Sequence, residues 1–300
     1  MQRGDCYRVD GTDVSYVDVG VHDVPGYGAV YLIDAERPAV VETGTGSHPE
    51  VVLDALEWAG IDPDDLAVIA VTHVHLDHAG GAGRLAQACP AADVYVPERG
   101  ASHLADPARL WAGTKRTVGD LAQFYAEPVP VPEERLVPVG DGDGIDLGDR
   151  ELGVHGAPGH APHQAVLSDP ATEGVFVADA AGVCTPLVDG VGPVTPPPSF
   201  DLDACLDDVG TIKSLDPDRL YYSHFGVSPA AGQLDAYADT LRSWVEAVEG
   251  ARADLPDDEA VVDSFVADAE PETDAWTRQK VREDTRMNVE GVLRYLDERR

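Results

Sequence analysis

One stretch constrains this chain more than any other. Directly after the apolar run Ala67 to Val71 it reads Thr72-His73-Val74-His75-Leu76-Asp77-His78-Ala79-Gly80-Gly81. A short continuous apolar run is the pattern of a buried strand. Side chains alternate along extended backbone, so His73, His75 and Asp77 are expected on one side, with His78 following where the chain turns into a helix. In a helix, His73 and His75 would diverge by about 200°, because each residue turns roughly 100°. Three imidazoles and a carboxylate converging at a strand end suit Zn²⁺ or Fe²⁺.

The surrounding pattern is that of a layered α/β domain. Val14 to Val19, Ala29 to Ile33 and Ala39 to Val41 are β-rich runs separated by Gly, Pro and Asp. Ser47 and Glu50 have the spacing of a capping box, which predicts a helix from Ser47 that Gly60 ends. Arg84 to Ala88 suggests a second helix and Val94 to Val96 another strand. Residues 101–132 interrupt this rhythm as a helical insertion, with Leu104, Trp111, Val118, Leu121 and Tyr125 at roughly helical spacing and prolines closing it. Strands resume from Leu136 through Val177, and Leu220 to Ser223 is the last expected one. Residues 229–300 are expected to be helical. Their apolar faces, one of them Leu234, Tyr237, Leu241, Val245 and Val248, would pack on the body or on a second copy in a homo-oligomer.

Three further segments complete a pattern. Pro158-Gly159-His160, Phe176-Val177-Ala178-Asp179 and Tyr222-Ser223-His224-Phe225-Gly226 follow the histidine motif in order. Together with His-x-His-x-Asp-His, they resemble the metallo-β-lactamase superfamily over roughly residues 14–226. The resemblance implies a four-layer αβ/βα sandwich in residues 1–228, carrying residues 229–300 as a helical C-terminal extension. It also implies a site for two divalent metal ions, zinc first, with iron or manganese as the other choices. His73, His75 and His160 would bind one metal, Asp77, His78 and His224 the other, and Asp179 would bridge. Where the family usually has an Asp-x-Gly turn, this chain has Glu42-Thr43-Gly44, and Glu42 would orient a metal-bound histidine. Tyr27, Trp111 and His163 are further candidates for the substrate pocket, with 101–132 a cap over it.

The activity this resemblance implies is hydrolysis of a small-molecule ester or thioester by a metal-bound hydroxide. Asp77 would orient the nucleophile and return a proton. Glyoxalase II-like thioester hydrolases are similar in that their motif also continues into Gly-Gly. Flavodiiron relatives carry a glutamate where His75 stands, which favours hydrolysis over diiron redox chemistry. The alternatives are a persulfide dioxygenase-like mononuclear iron oxidoreductase, a lactonase and a non-catalytic metal-binding scaffold.

Charge bounds the partners. Fifty-five acidic residues face 21 basic ones, giving −34, and only three of the cations are lysines. No basic stripe is visible, so nucleic acid is not an expected partner. A lysine-poor, aspartate-rich surface resembles haloarchaeal proteins, whose dense carboxylates stay hydrated in high salt. No run approaches the ~18 apolar residues of a membrane span, and no apolar leader stretch opens the sequence. A cytoplasmic protein acting on a small molecule is the expectation. Cys6, Cys89, Cys184 and Cys205 are scattered, without a C-x-x-C pair, and fit a reducing compartment.

Overall fold

The computed structural model describes residues 1–299. Seven strands lie in sequence order in one sheet: β1 (Cys6–Arg8), β2 (Val14–Asp18), β3 (Ala29–Ile33), β4 (Ala39–Val41), β5 (Val68–Ala70), β6 (Asp93–Pro97) and β7 (Leu136–Val139). The second sheet holds β8 (Gly144–Asp146), β9 (Glu151–Gly156), β10 (Ala165–Asp169), β11 (Gly174–Ala178), β12 (Arg219–Tyr222) and β13 (Gly226–Pro229), also in sequence order. Pairing is parallel from β4 through β7 and between β11 and β12, and antiparallel elsewhere.

Strand alternation sorts the core into three seams. In β3, Val30 and Leu32 face α1 (Pro49–Ala59) and α3 (Ala82–Ala88), meeting Val52, Leu56 and Leu85. Ala29, Tyr31 and Ile33 point the other way, into the space between the sheets, where they meet Leu152, Leu167, Phe176 and Tyr221. In the second sheet Val175, Val177, Leu220 and Tyr222 turn outward onto a helical layer. That layer comprises α6 (Leu202–Ser214), α7 (Gln233–Asp254), α8 (Asp258–Asp268) and α9 (Arg278–Glu298). The result is helix, sheet, sheet, helix, the four-layer sandwich the sequence predicts.

The tail helices are part of this packing. Leu234, Tyr237 and Leu241 of α7 and Val289 and Val292 of α9 share one apolar cluster with β11 and β12. Gly291 is the point of closest approach: a Cβ there would stand 1.8 Å from the Thr195 carbonyl oxygen, so only glycine lets α9 lie against the 193–198 loop. The segment 101–132 forms α4 (Glu98–Ala105), α5 (Ala108–Thr117) and a 3₁₀ turn over Gly119–Phe124.

Several expectations need correction. Ser47 does not cap α1: its hydroxyl donates to the Phe124 carbonyl, and Pro49 starts the helix, where its missing N–H costs nothing. Asp77 is not in extended backbone, because helix α2 (Leu76–Ala79) begins one residue before it. Strands β1 and β13 are additional edges of the two sheets, absent from the sequence pattern. All four cysteines are free thiols, and no helix among the described residues is long and apolar enough to cross a membrane.

Candidate metal centre and cavity

Strand β5 is fully buried, and the chain leaves it through Val71 and Thr72 to place His73 and His75 beyond the end of this central strand. Helix α2 then opens directly after His75, which swings Asp77 and His78 around to the same space. The Gly80-Gly81 pair lets this turn dock: a Cβ on Gly81 would lie 2.4 Å from the Thr43 carbonyl oxygen. His160 comes from the loop after β9, Asp179 follows β11, and His224 follows β12. Segments distant in sequence thus converge where strands of both sheets end.

The donor atoms form three neighbouring groups, one of which, Glu42 with His73 and His78, shares a histidine with each of the others. His73, His75, His160 and Asp179 offer ligand atoms within 4.8 Å of one another, and so do Asp77, His78 and His224. Asp179 touches both. Its Oδ2 lies 3.1 Å from His160 Nε2 and 3.4 Å from His78 Nε2, and its Oδ1 lies 3.4 Å from His224 Nε2. Asp77 Oδ2 is 3.5 Å from His224 Nε2.

Backbone and side-chain partners behind the ring set these orientations. Nδ1 of His224 donates to the Tyr27 carbonyl at 2.7 Å, and Nδ1 of His78 donates to Glu42 Oε1 at 3.2 Å. Each bond turns Nε2 toward the cluster. Glu42 is buried and held in the left-handed region at φ 70°. Its carboxylate also accepts from the Thr72 hydroxyl at 2.5 Å and the Ser223 hydroxyl at 3.0 Å, so its one side chain ties the first histidine motif to the last.

The donor set fits cations. Nε2 of His78 and Oδ1 of Asp179 are buried without a hydrogen-bond partner, and a bare imidazole nitrogen and carboxylate oxygen facing one space are metal-ligand chemistry. Burial and the neighbouring imidazoles push His73 and His160 down, and His75 to about 3, keeping these rings in the neutral form that binds metal. Burial opposes charge on Asp179, but His78, His160 and His224 outweigh it and hold the carboxyl below its usual range.

A family model described as the metallo-beta-lactamase superfamily matches residues 23–224, about two thirds of the chain. The chain belongs to the metallo-beta-lactamase superfamily. It is 28% identical over 219 residues to the metallo-beta-lactamase fold-containing protein ST1585 of Sulfurisphaera tokodaii, covering 71% of this chain and 78% of that one. The crystal structure of ST1585 superposes with a TM-score of 0.71 at 19% identity, over 94% of this chain and 98% of that one. An acyl-coenzyme A thioesterase, MBLAC2 of Gallus gallus, is 28% identical over 181 residues, 56% of this chain and 63% of the relative. A hydroxyacylglutathione hydrolase of Aliivibrio fischeri is 32% identical over 116 residues, 38% of this chain and 33% of the relative.

In this superfamily member the cluster floors a cavity of about 320 Å³, to which His75, Asp77, His160, Asp179 and His224 contribute. Asp77 is the most accessible carboxylate of the group, with 22% of its side chain exposed against 3% for Asp179. Tyr27 and His163 line the cavity as expected from the sequence; His163 stands 5.3 Å from the His75 ring, and burial pushes it down to about 3. Trp111 does not line it. On α5, Leu110, Thr114 and Thr117 face the cavity at helical spacing, which turns Trp111 aside to the Lys115 ammonium, 4.7 Å from its ring. Sequence reasoning missed His22 and the α9 residues Asp284, Met287 and Asn288, which also line the cavity. No spacing marks them, because α9 reaches the site only through the packing of the whole tail.

Proposed function

We propose that this protein is a two-metal hydrolase of small-molecule carbonyl esters, with thioesters preferred. The observation that carries this reading is the pair of donor groups on the floor of one closed-sided cavity, joined through Asp179. His73, His75 and His160 would hold one ion and Asp77, His78 and His224 the other, with Asp179 between them. Zinc fits the mixed imidazole and carboxylate set. Bound there, the metals would lower the pKa of water to about 7 and polarise a carbonyl.

The chain's own residues do the rest. Asp77 has the exposure and position to hold a proton at Oδ2 and pass it to a leaving group. Glu42 keeps the His78 ring aligned. A thiolate leaves without the protonation an amine requires, which suits a site where Asp77 is the carboxylate open to substrate. Among the described residues no lysine lines the cavity, and Arg109 and Arg116 stand at its mouth on α5, a helix without a carboxylate and with both arginines outside ion pairs. That rim suits an anionic thiol carrier such as glutathione or coenzyme A better than a phosphodiester at the metals. The two relatives named for thioester chemistry support the same class.

The test is kcat/KM for matched thioester, oxygen-ester, lactone and phosphodiester substrates on zinc- and iron-loaded protein, with elemental analysis alongside. We expect close to two metal equivalents and thioester cleavage above the others. Faster phosphodiester cleavage, or oxygen uptake with a persulfide by a one-iron protein, would overturn the reading.

A further inference from the structure

Beyond the metal cluster, the cavity wall holds a second polar feature that the hydrolytic reading does not use. His22 is 97% buried, yet its Nδ1 has no hydrogen-bond partner. It faces Oδ1 of Asp284 at 3.9 Å, and that oxygen is buried and unpartnered as well. Both residues line the cavity. They come from opposite ends of the chain, a turn before β3 and the middle of α9.

Each is fixed by its other atoms. Nε2 of His22 lies 2.9 Å from the Tyr125 hydroxyl. Oδ2 of Asp284 accepts from the Tyr27 hydroxyl at 3.1 Å and from the buried Lys280 ammonium at 2.8 Å. Lys280 is itself sandwiched by the Tyr27 and Trp276 rings at 3.4 and 3.6 Å. The backbone adds a third sign. His22 and Asp23 both sit at φ 57°, a conformation that side chains other than glycine adopt at a cost and that gathers at ligand sites.

The gap between the two atoms is too long for a direct bond and matches what one oxygen can bridge, and since both atoms are recessed behind the cavity surface a small side-chain shift must admit it. Burial pushes His22 down to about 4, so the ring is neutral and carries one proton. The negative Asp284 carboxylate 3.9 Å away favours that proton on Nδ1, which leaves Nε2 to accept from the Tyr125 hydroxyl. The pair therefore presents one donor and one acceptor, 3.9 Å apart. A hydroxyl satisfies both at once; an amide N–H or a carbonyl satisfies only one.

We propose that His22 and Asp284 form a specificity site for a hydroxyl group on the substrate. The Tyr27 ring neighbours both this site and the metal cluster, 5.5 Å from the His22 ring and 4.8 Å from the His224 ring. The hydroxyl thus sits on a part of the substrate several atoms removed from the carbonyl at the metals. A substrate lacking it leaves the buried donor and acceptor unpaired or holding a trapped water, a situation in which sites discriminate strongly.

This inference rests on the hydrolase reading for its kinetic test, and a binding test separates the two. The probes are the hexanoyl thioester of N-acetylcysteamine and its counterparts with a hydroxyl on the second, third or sixth carbon. At least one hydroxylated thioester beyond the second carbon is expected to exceed the parent in kcat/KM by about tenfold or more. His22→Phe should collapse that ratio toward one, and Tyr125→Phe, which frees the ring's proton to settle on either nitrogen, should reduce it. Preference for the parent, or equal rates across the series in the wild type, overturns the proposal without reference to any variant. If none of the thioesters is cleaved, the hydrolase reading fails. The site is then judged by calorimetry with the matching thioethers, where equal Kd values with and without the hydroxyl would overturn it.

Discussion

Asp77 and Glu42 show how much depends on single atoms in this site. Asp77 and Asp179 both belong to the donor cluster and border the cavity, and Asp77 is much the more exposed of the two. Replacing Asp77 with Ala should lower kcat/KM by about 10²-fold or more, on the scale of a lost acid-base group, while the melting temperature moves little because the side chain is partly exposed. A loss of activity matched by a loss of folded protein would instead make Asp77 structural. Glu42 is different, since it is buried and holds His78, Thr72 and Ser223 together. Glu42→Gln keeps the volume but presents an amide in place of a four-site acceptor. Metal affinity should fall by about 10- to 100-fold, as found when partners of metal-bound histidines are removed. Competition with a chelator would measure it, and unchanged affinity would show that the ring needs no such anchor. The first histidine motif was legible because it follows an apolar strand run, and the later histidine and aspartate positions because their short motifs resemble the family's in the same order. His22 and Asp284 were not, since a histidine in a turn and an aspartate in a helix carry no periodic signal.

At the scale of elements, the sequence marked the strands that carry an apolar run or alternation and missed two short outer ones that carry neither. Strand β3 is buried along its whole length, so its run of Ala, Val, Tyr, Leu and Ile stands out. Strands β1 and β13 are short outer edges with exposed positions, and Cys6-Tyr-Arg8 or Gly226-Val-Ser-Pro229 has no alternation to read. The capping box at Ser47 failed because Phe124, 77 residues away, claims its hydroxyl, a tertiary contact that local spacing cannot show. Helix α6 has a comparable long-range duty. Its Asp208 accepts from the Gly159 N–H at 2.7 Å and so anchors the loop that carries His160. Burial pushes the Asp208 carboxyl up to about 7 from an ordinary 3.8. The unfolded chain therefore releases this proton before the folded one, and between pH 4 and about 7 the group subtracts progressively from stability. Asp208→Asn retains a side-chain acceptor for Gly159 without the charge. It should melt higher than the wild type at pH 8, with the difference shrinking toward zero near pH 4. Parallel melting curves across that range would show that the carboxylate is solvated well enough to ionise freely.

Over the whole molecule the decisive quantity is charge. With a net charge of −34, pairing every arginine and lysine once would still leave that many carboxylates without a cation. Many of the pairs that do form are exposed, such as Arg242 with Asp239 and Arg278 with Glu270, and exposed pairs contribute about 0–1 kcal/mol each. They cannot offset repulsion summed over the surface. The core seams supply the opposing term, and they depend on salt only weakly compared with a field between exposed charges. The Debye length shortens from ~10 Å at 0.1 M to ~3 Å at 1 M, below the usual spacing of neighbouring carboxylates. The melting temperature should therefore climb steeply between dilute buffer and molar KCl. Most of the rise should fall below about 1 M, where screening changes fastest, and NaCl should act like KCl. The tail helices make the outcome visible in activity as well. α8 and α9 carry several of these acids, among them Asp258, Glu259 and Glu298, and α9 also supplies a wall of the cavity. Low salt should loosen that wall before the sheets give way, so activity should be lost at a higher salt concentration than far-ultraviolet circular dichroism. A melting temperature flat from 0.05 to 2 M KCl, within about 2 °C, would mean that the carboxylates are hydrated independently of one another and that their excess places no demand on the solvent.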